Sequence, residues 1–96
     1  MDKEEILAKL RKDREKIESF GVKSLAIFGS VARGESGAKS DLDLLVEFEG
    51  KMSFDRYMDL KFYLEDYLEV KVDLVSQKML KPQIRNSVLK EAINVA

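Results

Sequence analysis

Residues 41–48, Asp-Leu-Asp-Leu-Leu-Val-Glu-Phe, alternate with a period of two. In an extended strand Leu42, Leu44, Val46 and Phe48 share one face, and Asp41, Asp43, Leu45 and Glu47 share the other. This pattern sets a problem for any fold that contains it. Two aspartates two residues apart project from the same side of an otherwise apolar strand, where Asp is disfavoured and like charges repel. A divalent cation resolves the problem, because hard carboxylate ligands turn the repulsion into attraction. The plainer reading is a solvated surface pair. A third acid, Asp73, weighs against it, since Asp73 also sits in an apolar strand-like run, on the face opposite Val72 and Leu74.

The rest of the chain supplies the partners of that strand. Asp2 to Glu18 reads as one amphipathic helix, with Ile6, Leu10 and Ile17 on a stripe and Leu7 beside it. Gly21 stops it. Val22 to Phe28 is a short apolar run suited to a strand buried on both faces. Gly29-Ser30 breaks the chain, Val31 to Arg33 forms one helical turn before Gly34, and Glu35 to Ser40 is a polar loop. Gly50 closes the acidic strand. Ser53 is the N-cap of a helix to Leu68. Its apolar arc is wide, which fits either deep burial or a face turned to a partner. Val70 to Val75 is a third strand, Pro82 to Glu91 a last helix opened by its proline, and Ile93-Asn94-Val95 a short terminal strand. The expected fold class is α/β (α+β): one domain over residues 1–96, a small mixed sheet flanked by helices.

Composition narrows the chemistry. The 96 residues contain no cysteine and no histidine, which excludes disulfide scaffolds, thiol nucleophiles, His-ligated metals and imidazole acid–base catalysis. Any metal must be a hard cation held by oxygen. Lys and Arg number 17 against 18 Asp and Glu, a formal net charge of −1, so stable nucleic-acid binding and adhesion to anionic membrane are not expected. The N-terminal residues alternate charged and apolar groups, unlike a secretory signal, and no run is long enough to span a membrane. Cytoplasmic residence is the expectation.

Gly29-Ser30 directly after a buried strand lets the backbone turn sharply and lets a ligand approach closely. Amides following such a turn suit a phosphate. Alone, the dipeptide is an ordinary turn. Combined with the acids it forms Gly-Ser, ten residues, then Asp-x-Asp: Gly29, Ser30, Asp41 and Asp43. The runs GSVARG and SDLDLLV, with the later VDLV, resemble the minimal nucleotidyltransferases of the polymerase-β-type superfamily. More narrowly, the chain is similar to the MNT antitoxins of HEPN–MNT toxin–antitoxin pairs. The resemblance implies that Asp41, Asp43 and Asp73 are catalytic and hold two Mg²⁺ ions. It implies that Gly29 and Ser30 grip the phosphates of ATP. Arg33 neutralises phosphate charge or is a surface arginine in a turn. Ser40 adjoins the acids and is counted on the nucleotide side, with shaping of the loop as its other role. Lys39 reads as solvated.

Larger relatives carry a helical domain for the acceptor, and these residues leave no room for one. The acceptor then comes from a partner, or the domain pairs with itself. The resemblance points to a helical HEPN ribonuclease toxin and to transfer of AMP onto one of its tyrosine hydroxyls. The alternatives are an antitoxin that works by occlusion without catalysis, and a transferase acting on a small-molecule hydroxyl.

Overall fold

The computed structural model describes residues 2–35 and 41–95. Asp2 caps the first helix, its carboxylate accepting from the Glu4 amide, and α1 (Lys3–Lys12) follows. Instead of continuing to Glu18, the helix breaks at Asp13, and α2 (Arg14–Glu18) is a separate short segment. The stripe explains the break. Ile6, Leu7 and Leu10 are buried, but the positions three and four beyond Leu10 are Asp13 and Arg14, so nothing apolar fastens that turn to the core. Redirecting the chain buries Ile17 again. Gly21, at φ +86°, turns the backbone into β1 (Val22–Phe28).

The remaining elements are α3 (Gly29–Ala32), β2 (Leu42–Phe48), α4 (Phe54–Leu68), β3 (Val72–Ser76), a 3₁₀ turn (Gln77–Met79), α5 (Pro82–Glu91) and β4 (Ile93–Asn94). Ser53 caps α4 as expected, its hydroxyl accepting from the Arg56 amide at 3.2 Å. β3 begins two residues later than the alternation suggests. Glu69 ends α4 in the left-handed region, φ +56°, and Val70 and Lys71 are spent returning the chain to the sheet.

The sheet runs β3-β2-β1-β4. β1 is antiparallel to both β2 and β4, and β2 is parallel to β3. α4 is the crossover that a parallel pair requires. One face of the sheet, carrying Leu25, Ile27, Leu42, Leu44, Val46, Val72 and Leu74, packs against the apolar sides of α1, α2 and α4 in the main core. The other face carries a small cluster in which Val88 of α5 covers Ala26 and Leu45. The side-chain assignment along β2 is the one its alternation predicts.

α4 divides its wide apolar arc. Leu60, Leu64 and Leu68 are buried, whereas Phe54 and Phe62 remain 75% and 55% exposed. The same helix closes the sheet edge: the Tyr57 hydroxyl donates to the Leu74 carbonyl, and the Glu65 carboxylate accepts from the Val72 amide at 3.0 Å. Both groups lie on an edge strand that would otherwise invite pairing with another chain. No helix among the described residues is long and apolar enough to cross a membrane.

Candidate active site

The parallel pairing of β2 with β3 sets Asp43 opposite Asp73. Both project from the face that α5 only partly covers, side by side in the register of the two strands. Burial, then the charges of Asp73 and Asp41, push the Asp43 carboxyl above the ordinary carboxylate range. Arg33 opposes the shift weakly. Asp41 lies just before β2, exposed, and adds its charge to the pair. Of the three acids expected to converge, the register sets Asp43 and Asp73 side by side, and Asp41 is near enough for its charge to act on Asp43. Among the described residues no group of three acids forms a ready-made ion cage.

The antiparallel partner of Asp43 on its other side is Phe28, and the next residue is Gly29. Its φ of +74° favours glycine. A β-carbon there would lie 2.2 Å from Asp43 Oδ2, so the position also needs glycine for space. The turn into α3 is thus a wall of the acidic site. Val31 and Ala32, both buried, anchor it to the sheet, and Ser30 beside them is half-buried.

Two expectations about the phosphate side meet a different arrangement. The Gly29 amide donates to Glu91 Oε1 at 3.0 Å. Among the described residues Arg33 has two partners: Nε donates to Glu35 at 3.0 Å, and Nη1 donates to both oxygens of Glu91 at 3.2 and 3.0 Å. The anion these donors hold is the protein's own carboxylate. The Gly29 amide, then Arg33, keep the Glu91 carboxyl below its usual range. Glu91 has no part in the sequence reading of the site. One signal was available: it is an acid in the last turn of a helix, where the dipole disfavours negative charge. Ser40 and Lys39 lie outside the described residues.

The donor set fits a divalent cation. It is all oxygen, and it concentrates carboxylates until one of them is driven toward protonation, a cost that a hard cation removes.

The fold is that of the polymerase-β-like nucleotidyltransferases. The sequence pattern of the nucleotidyltransferase-domain family matches residues 7–95, and the chain belongs to that family. Protein adenylyltransferase MntA of Thermococcus cleftensis is 44% identical over 78 residues, covering 81% of this chain and 79% of that protein. A solved structure assigned as a minimal nucleotidyltransferase superimposes with a TM-score of 0.77 at 45% identity, over 97% of this chain and 95% of its own. A chain from the complex of a tri-AMPylated Shewanella oneidensis HEPN toxin with its MNT antitoxin has a TM-score of 0.67 at 16% identity, over 94% of this chain and 71% of its own. That last likeness is one of fold.

Proposed function

We propose that the protein transfers AMP from ATP to a hydroxyl of a helical HEPN-type toxin, a tyrosine, and thereby acts as its antitoxin. The observation that carries this reading is the Asp43–Asp73 pair walled by the Gly29 turn. The adenylyltransferase relative and the fold shared with an antitoxin bound to an AMPylated toxin support it.

Asp41, Asp43 and Asp73 would hold two Mg²⁺ ions. Bound there, the ions supply charge neutralisation for the triphosphate and activation of the attacking oxygen. The chain's own residues do the rest. Asp73 would hold the ion beside the acceptor hydroxyl and so help that hydroxyl give up its proton. Ser30, on the turn after β1, orients the outer phosphates. The acceptor oxygen attacks the α-phosphorus, the bond to the β-phosphate bridging oxygen breaks, and pyrophosphate leaves. No histidine is required, in keeping with a chain that has none. The exposed Phe54 and Phe62 of α4 offer apolar surface for the toxin.

The test is to mix the protein with its cognate toxin, Mg²⁺ and ATP, and to follow the toxin's intact mass. Adenylyl additions to the toxin are expected, and none with Asp43→Asn. A toxin that is bound and neutralised but never modified would establish occlusion instead.

A further inference from the structure

Glu91 is the only acid on α5 and the last residue of that helix. Its position is tied to the sheet by the residues that follow it. Two residues later Ile93 pairs with Ile27, and the Val95 amide donates to the Leu25 carbonyl at 2.8 Å. α5 itself is held loosely: Val88 is its one buried residue, and Ile84 and Leu89 are exposed. The carboxylate of Glu91 is therefore the principal polar tie between this helix and the turn that walls Asp43. It satisfies the Gly29 amide, one of the α3 donors that no helical carbonyl can reach. It also takes the guanidinium of Arg33.

Resting on the reading proposed above, we infer that Glu91 is a positioning residue of the nucleotide site, its carboxylate fixing the Gly29 turn and Arg33 in the arrangement that receives the triphosphate. The C-terminal helix is then part of the site without touching the nucleotide. Arg33 acts as the other half of this strut, since its two partners among the described residues are carboxylates of the chain itself. The role differs from simple scaffolding because it depends on an acceptor oxygen at this point. Glutamine keeps such an oxygen for the Gly29 amide, whereas alanine does not.

The experiment compares wild type, Glu91→Gln and Glu91→Ala, each checked for an intact fold by thermal melting. Binding of Mg²⁺–ATP is measured by calorimetry without toxin, and exchange of the Gly29 amide with solvent by NMR. Glu91→Ala is expected to weaken Mg²⁺–ATP binding about tenfold and to speed Gly29 exchange by a similar factor, the size of one lost charge-assisted hydrogen bond. Glu91→Gln should recover most of both. Unchanged or tighter nucleotide binding in Glu91→Ala overturns the inference; tighter binding would make the carboxylate a competitor of the phosphates. Equal losses in the two variants also overturn it, leaving a purely structural tie. If wild type binds no Mg²⁺–ATP, the proposed function fails, and Gly29 exchange alone decides the role of Glu91: protection lost in alanine and kept in glutamine upholds the clasp, and identical exchange in all three proteins refutes it.

Discussion

At the scale of single residues, Asp43 carries a conflict between folding and function. Its carboxyl is raised by burial and by the neighbouring acids Asp73 and Asp41. A group whose folded value lies above its unfolded value favours the folded state while protonated and loses that contribution as pH rises through the folded value. Asp43 therefore costs stability at neutral pH and nothing in acid. Asp43→Asn should melt higher than wild type in EDTA near neutrality, and the difference should shrink as the pH falls and vanish below the ordinary carboxylate value of 3.8. Melts followed by circular dichroism across that range check this; a pH-independent difference would show that the gain has another source. Because cation binding needs the ionised carboxylate, metal affinity should fall over the same interval. The same substitution should abolish transfer while it stabilises the protein. Gly29 adds a second constraint at this scale, since its backbone angle and the nearness of Asp43 Oδ2 both forbid a side chain.

At the scale of elements, Arg56 shows what the sequence leaves hidden. Its guanidinium donates to the carbonyls of Lys51 at 2.7 Å, Gly21 at 3.0 Å, Glu49 at 3.2 Å and Phe20 at 3.3 Å, and it lies over the Phe48 ring. One side chain thus joins the start of α4 to the turn before β1 and the exit of β2. Arg56→Ala should cost about 2 kcal/mol or more and lower the melting temperature by roughly 8 °C or more. Lysine should recover little, because it lacks the planar fork. A shift within about 2 °C for alanine would mean that water replaces these bonds. Nothing in the spacing around Arg56 announces this role, because its acceptors are backbone groups distant in sequence. Local pattern did fix the strand faces, the Ser53 cap and the proline start of α5. It missed the break at Asp13, although the gap in the stripe after Leu10 was legible. Asp43 and Asp73 could be assigned to like faces of two strands, but their direct pairing depends on register, which alternation does not define. Glu91 stayed invisible because its partners are Gly29 and Arg33, about sixty positions away.

At the scale of the whole molecule, the sheet order places the acids at one end of a body whose extents are 33 × 32 × 20 Å. One face is fully covered by α1, α2 and α4, while α5 covers only the part around Leu45. The acidic end thus lies on the less covered face of the sheet. Such a site is costly to keep in the absence of cation and nucleotide, and binding should return that cost as stability. A ligand at a hundred times its dissociation constant adds about 2.7 kcal/mol, which in a chain of this length raises the melting temperature by roughly 10 °C or more. Mg²⁺ alone should shift it little, since two neighbouring carboxylates and a third nearby provide only part of an octahedral shell. ATP in EDTA should also shift it little, because its negative charge meets Asp41, Asp43 and Asp73 unscreened. Only the two together should give the full shift, and Asp43→Asn should remove that synergy. Fluorescence-monitored melts with each component separately and combined make the comparison. If the combined effect merely equals the sum of the separate ones, in wild type and variant alike, then the acids and the Gly29 turn do not act as one nucleotide site.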